Sequence, residues 1–328
     1  MIGCDCEVCR SEELKNKRFR SSVVVRAGDV TILVDSGPDL RMQALREGLR
    51  EIDAVIYTHA HLDHVAGFDE LRAFCWRKHE PLPLHATEGC METLVQMYGW
   101  AFSPEIFVPG YVRPEARVID GPFYYGDLKI TPLPVTHAAV ETIGFLFEYP
   151  GAAKVAYISD VKIIPEETMA LIRGVDVLVI DALRTVDHPT HFTLAEALAA
   201  VEESGAKEAW LTHLTHEFDT ETLEAMVPAN VHVAWDGLRI LGLAHGRSCM
   251  AESSGHASAD EIRCSGLALS CGIPGVPARG SDAGIGGDFI QFHPAGIEAA
   301  RGDLPRGAGD SDGERDRVGH AGEGGHFA

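Results

Sequence analysis

The segment Thr58-His59-Ala60-His61-Leu62-Asp63-His64 puts four metal-ligating side chains within six residues, directly after the largely apolar run Asp53 to Tyr57. Packing is a poor explanation for such a cluster. Imidazoles this close repel one another when protonated, and burying them unpaired is costly. A divalent cation removes both problems by taking neutral imidazole nitrogen as a ligand. The spacing also divides the ligands. His59 and His61 alternate along an extended segment and can face one ion, while Asp63 and His64 turn toward a second. Two-metal sites of this kind drive hydrolysis.

Four ligands are too few for two ions, each of which needs about three to four protein groups plus water. The remainder should come from strand ends that reach the same rim. His137 follows the run Ile130 to Thr136, Asp160 follows Lys154 to Ser159, and His213 follows Ala209 to Thr212. A histidine after a strand is often a loop residue and an aspartate there is often a helix cap. In the order His, Asp, His behind the first motif, the three together read as ligands. Asp160 could bridge both ions through its two oxygens. Asp35, at the end of its own strand, is placed to orient a ligand histidine.

Three further groups are candidates. Cys4, Cys6 and Cys9 are spaced too tightly for separate disulfides and suit a structural zinc, which needs a fourth ligand. His216 can supply it, as can Cys75 or Cys90. His188 and His191 lie just before a helix. His191 is the better proton donor, because His188 precedes a proline in an extended stretch. The basic run Lys15-Asn16-Lys17-Arg18-Phe19-Arg20 reads either as a solvated loop or as a lip that guides a phosphate.

These residues need a frame. Residues 1–245 alternate strand and helix signals, with strands expected at 53–57, 128–133, 143–149, 154–158, 175–181, 208–212 and 231–235. Helices are expected at 38–48, 69–76, 88–98, 165–173 and 193–204, the last opened by a Thr193/Glu196 capping box. Strands in runs with helices at intervals give two packed sheets covered outside by helices. Residues 246–328 hold 18 of the 34 glycines and no lysine or tryptophan. Such a stretch buries too little apolar surface to offset its ordering entropy, and a disordered tail is expected.

The formal net charge of −21 over 328 residues excludes attraction of nucleic acid by the bulk field. An anionic substrate then needs a local positive centre, which a pair of divalent ions supplies. No apolar run approaches the ~18–20 residues of a membrane span, and no signal pattern opens the chain. A cytoplasmic location is the default expectation.

Together, Cys4-x-Cys6-x-x-Cys9, Thr58-His59-x-His61-x-Asp63-His64, Ser159-Asp160 and Thr212-His213-x-x-His216 resemble the metallo-β-lactamase superfamily. The likeness runs from about Gly3 to Leu241. Within the superfamily the chain is most similar to the PhnP-type phosphodiesterases, which act on phosphoribosyl 1,2-cyclic phosphate in the carbon–phosphorus lyase pathway. The resemblance implies a four-layer αββα sandwich of two mixed sheets. It implies one ion on His59, His61 and His137, a second on Asp63, His64 and His213, and Asp160 as the bridge. It implies a structural zinc on Cys4, Cys6, Cys9 and His216, and His191 as the catalytic histidine. Relatives begin with an apolar strand and a Gly-rich turn before the cysteines, so either the true start lies upstream or one sheet lacks its first strand, which would expose an edge.

The expected activity is hydrolysis of a small phosphodiester, such as a cyclic phosphate, by two divalent ions, zinc or manganese, that acidify an attacking water. Asp63 and His191 are the expected catalytic residues beside the ions. A small-molecule substrate is the expected partner, with no nucleic acid and no membrane; a homodimer is left open. The alternatives are a thioester or lactone hydrolase of the same superfamily, a transfer-RNA-processing nuclease, and a non-hydrolytic protein similar to coenzyme PQQ synthesis protein B.

Overall fold

The computed structural model describes residues 1–78, 80–103, 110–242, 251–252 and 267–272. Its strands are β1 (Val23–Ala27), β2 (Val30–Val34), β3 (Ala54–Ile56), β4 (Leu82–Ala86), β5 (Pro114–Val118), β6 (Phe123–Tyr125), β7 (Leu128–His137), β8 (Val140–Glu148), β9 (Val155–Ile158), β10 (Val177–Asp181), β11 (Glu208–Thr212), β12 (Val231–Val233), β13 (Gly237–Gly242), β14 (Ala251–Glu252) and β15 (Leu267–Gly272). One sheet runs β14-β13-β15-β1-β2-β3-β4-β5 and the other β12-β11-β10-β9-β8-β7-β6. The helices are α1 (Glu7–Arg10), α2 (Leu40–Arg46), α3 (Leu62–Val65), α4 (Arg72–Lys78), α5 (Glu88–Phe102), α6 (Glu166–Ile172), α7 (Leu194–Ser204) and α8 (Thr220–Met226).

Strand alternation builds four layers. Val25, Ile32 and Ile56 point to the space between the sheets and meet Phe145, Phe147, Tyr157 and Val179. Their neighbours Val24, Leu33 and Val55 face outward with Leu84, under Leu40 of α2 and Leu94 of α5. On the second sheet, Leu146, Ile158, Leu178, Ile180 and Leu211 face Met169 of α6 and Val201 of α7. Each such side chain contributes about 1.5–3 kcal/mol when fully buried. The result is the expected αββα sandwich.

Strand directions bring one edge of both sheets together. β2, β3 and β4 are parallel, as are β9, β10 and β11, so their C-terminal ends share a rim within each sheet. β7 and β9 each pair antiparallel with β8, so β7 also ends at that rim. Ligands bind outside the carboxyl ends of strands in such sheets.

Of residues 246–328, read above as a disordered tail, Ala251–Glu252 and Leu267–Gly272 are strands; the others lie outside those described. A compact unit spans Met1–Val276, past the boundary expected at 245. β15 pairs antiparallel with β1 on one side and β13 on the other.

Candidate metal centre

Every predicted ligand of the dinuclear site lies at that rim. After β3 the chain stays extended through His61 and then turns into α3, which His61 caps with φ −68° and ψ 149°. His59 and His61 therefore project together, and Asp63 and His64 turn away on the helix. His137 is the last residue of β7. Asp160 follows β9 by two residues, and His213 follows β11 by one.

The donor atoms form two adjacent groups. His59 Nε2 stands 2.9 Å from His61 Nδ1, and His137 Nε2 stands 3.2 Å from the same atom. His213 Nε2 and His64 Nε2 lie 3.6 and 3.8 Å from Asp63 Oδ2. Ligand atoms about 2.1 Å from one ion at tetrahedral angles stand roughly 3.4 Å apart, so both groups are dimensioned for a cation. Asp160 lies between them. Its Oδ2 is 3.9 Å from His59 Nε2 and from His137 Nε2, and 3.4 Å from His213 Nε2. Its Oδ1 lies 3.2 Å from His64 Nε2, and neither of these two buried atoms makes a hydrogen bond. Buried polar atoms are rarely orphaned, and two facing each other fit a cation between them.

The outer nitrogens of three ligands are fixed. His59 Nδ1 lies 3.0 Å from Thr58 Oγ1, His64 Nδ1 2.8 Å from Asp35 Oδ2 and His137 Nδ1 2.7 Å from the Thr190 carbonyl. Asp35 also accepts from the Thr58 amide and hydroxyl, both at 2.8 Å. It thus ties β2 to β3 and holds the outer nitrogen of His64. Backbone strain marks the same places. Asp35, Ala138 and His213 carry positive φ (60°, 53° and 58°), and among the described residues no other non-glycine does. Such conformations cost free energy and persist where surrounding structure over-determines them.

Burial and charge prepare the ligands unequally. Burial, with the charge of His64 beside it, pushes His59 down to about 2, so its imidazole is neutral. Burial works against a charged His213, but Asp160 and Asp63 outweigh it and raise its pKa to about 9. A cation must therefore displace a proton from His213 at neutral pH. Metal affinity, measured by competition with a chromogenic chelator, should rise with pH up to about 9. The stability this raised pKa gives the metal-free protein is complete below the ordinary histidine pKa of about 6.5 and lost as pH climbs through 9. Its melting temperature should fall over that window. Affinity independent of pH from 6.5 to 9 would contradict this assignment.

His191 sits beside the bridge. Its Nδ1 is 2.8 Å from Asp181 Oδ2 and 3.8 Å from Asp160 Oδ2. Asp181, the last residue of β10, is buried and was missed in the sequence. The signal was present: an apolar run ending in aspartate, as before Asp160, ten residues ahead of His191. The Thr193–Glu196 capping box of α7 fixes the chain two residues beyond His191. His188 lies outside this contact, its Nδ1 facing Thr190.

The cysteine cluster is equally clear. Cys4 and Cys6 Sγ each lie 3.4 Å from His216 Nδ1, and Cys9 completes a set of donor atoms within 4.8 Å of one another. The His216 hydrogen bond lowers the Cys6 thiol to about 6, toward the thiolate a metal needs. Cys75 and Cys90 are buried under the first sheet's helices and are not part of it. His216 follows His213 by three residues, so the clip holds the N-terminal segment to the catalytic rim.

Residues 30–214 match the model of a β-lactamase superfamily domain, and the chain belongs to the metallo-β-lactamase superfamily. It is 33% identical over 246 residues to an octanoyltransferase of Porphyromonas gingivalis, covering 73% of this chain and 48% of that protein. The chain thus spans about half the length of this curated relative. A solved diphosphatase of the PhnP family is 35% identical with a TM-score of 0.66, covering 72% of this chain and 89% of the other. Zinc-bound PqqB from Methylobacterium extorquens, 23% identical with a TM-score of 0.57 over 72% of this chain and 93% of its own, shares the fold. The described residues thus combine the superfamily's fold with His/Asp groups that could hold metal ions, and no described helix is long and apolar enough to cross a membrane.

Proposed function

We propose that the chain hydrolyses a phosphorus–oxygen bond in a small phosphodiester, a cyclic phosphate such as phosphoribosyl 1,2-cyclic phosphate among them. The observation that carries this is His191, held by a buried carboxylate within 3.8 Å of the bridging Asp160. A leaving alkoxide or phosphate needs a proton, and an oriented imidazole is suited to provide it. The 35% identity to a PhnP-family diphosphatase over 89% of that chain supports the same bond type.

The residues divide the work. His59, His61 and His137 would hold one divalent ion, and Asp63, His64 and His213 the other, with Asp160 between. Bound, the pair would neutralise charge on the phosphoryl oxygens and acidify the attacking water. Asp181 keeps His191 Nδ1 engaged and leaves Nε2 to face substrate. Asp35, itself held by the Thr58 amide and hydroxyl, keeps the His64 ring from rotating.

The test is activity on bis(p-nitrophenyl) phosphate against a thioester such as S-lactoylglutathione, before and after verified metal removal. Phosphodiester hydrolysis should dominate, vanish on stripping and return with zinc or manganese. Faster thioester cleavage, or full activity without metal, would refute the proposal.

A further inference from the structure

The two histidines of the Asp63 group are held differently. Asp35 fixes His64 through Nδ1, whereas His213 Nδ1 is buried and makes no hydrogen bond among the described residues. The His213 ring stacks on those of His64 and His191, with centroids 5.9 and 4.9 Å apart and planes inclined by 4° and 21°. Near-parallel rings can slide across one another, so these contacts limit tilt and leave the reach of Nε2 open. The backbone must set that reach. It does so from an uncommon conformation, with φ 58° at His213, which persists only where the surroundings over-determine it.

Two sets of bonds hold the turn that follows β11. The exit of β10 supplies one: the Ala182 N–H donates to the Thr212 carbonyl at 3.1 Å, and the Thr215 N–H to the Leu183 carbonyl at 2.9 Å. Arg18 supplies the other. Its Nη1 donates to the Thr215 carbonyl at 3.2 Å, and its Nη2 to the Phe218 carbonyl at 2.9 Å and to Thr220 Oγ1 at 2.8 Å. Thr215, two residues beyond His213, is thus gripped at both its N–H and its carbonyl. Neither a solvated loop nor a phosphate lip describes this residue of the basic run, since both terminal nitrogens are engaged within the protein. Arg18 is half-buried, and burial works against its charge while Asp236 and Asp219 support it. Desolvating a guanidinium is costly, and an apolar side chain could brace a loop as well. What a guanidinium adds is direction, a planar fork that sets several acceptors at fixed angles.

We infer that Arg18 is a positioning residue for the second ion, acting through the turn from His213 to Phe218 to hold His213 Nε2 toward the carboxylates of Asp63 and Asp160. Those oxygens stand 3.6 and 3.4 Å from Nε2. The role rests on the two-ion part of the proposed function and is independent of which bond is cleaved.

The test is a double-mutant cycle on metal affinity. Metal-stripped wild type, Arg18→Met, His213→Ala and the double variant are titrated with zinc against a chromogenic chelator, and each equivalent bound outside the cysteine clip is followed. Arg18→Met keeps the aliphatic stem and removes the donors. It should weaken one equivalent about 10–100-fold, the range for losing a group that orients a ligand, and leave the other nearly unchanged. In the His213→Ala background it should change nothing further, because the ligand it positions is gone. Arg18→Lys should fall between, and it carries the comparison if Arg18→Met does not fold. Melting temperature and the thiolate charge-transfer absorption of cobalt in the clip report folding. No loss, a loss spread equally over both equivalents, or a loss undiminished in His213→Ala would make Arg18 a brace without a link to His213 and overturn the inference. A wild type that binds fewer than two equivalents outside the clip would refute the two-ion reading itself, and the inference with it.

Discussion

Asp160→Asn should lower kcat/KM for a phosphodiester by roughly 10³-fold or more, since even removing an outer partner of a ligand costs about 10–100-fold. The substitution keeps size and one oxygen but deletes the charge and the second metal-facing oxygen. In the present geometry those oxygens reach His64 on one side and His59, His137 and His213 on the other. The amide nitrogen would also turn a donor toward a cation. Elemental analysis should show one catalytic equivalent lost or both weakened, with the Cys4/Cys6/Cys9/His216 metal retained. Near-normal kcat with full metal content would show that Asp160 does not bridge.

His191→Ala should behave differently. Metal content should stay intact, because Asp181 engages His191 Nδ1 at 2.8 Å although that ring also lies beside His137 and Asp160, and kcat should fall about 10²–10⁴-fold, the range for a positioned proton donor. The loss should shrink as the leaving group becomes more acidic, since a good leaving group needs no proton. Asp181→Asn should cost a smaller factor, about 10–100-fold, by loosening the ring rather than removing it. If His191→Ala were equally impaired on p-nitrophenyl and alkyl leaving groups, the proton-donor role would be wrong. Loss of metal in His191→Ala would recast it as a ligand.

The sequence was most readable where chemistry and secondary structure coincide. His59 to His64, His137, Asp160 and His213 each follow an apolar run, and a run of that kind ends at a rim wherever strands are parallel. Asp181 obeys the same rule but was passed over, because a carboxylate at a strand end looks like a cap until its partner is seen. The fourth ligand to the cysteines could not be chosen by spacing, since only packing shows Cys75 and Cys90 buried elsewhere. β5 was missed because Pro114–Val118 is an exposed edge strand without alternation, and β6 because Phe123–Tyr125 is three residues long. α8 is short and acidic. Arg18 looked like one more charge in a basic run, although its partners lie some 200 positions away in the chain and only the fold reveals them.

β15 has a consequence for how the molecule is made and handled. Should β15 leave its place, it opens a slot whose two walls, β1 and β13, then offer unsatisfied amides and carbonyls. Any extended peptide can enter such a slot, and the same segment from a neighbouring molecule fits it as well as the molecule's own. Reciprocal exchange would then link copies without a new interface, and a limited digest run beside size-exclusion chromatography would reveal it.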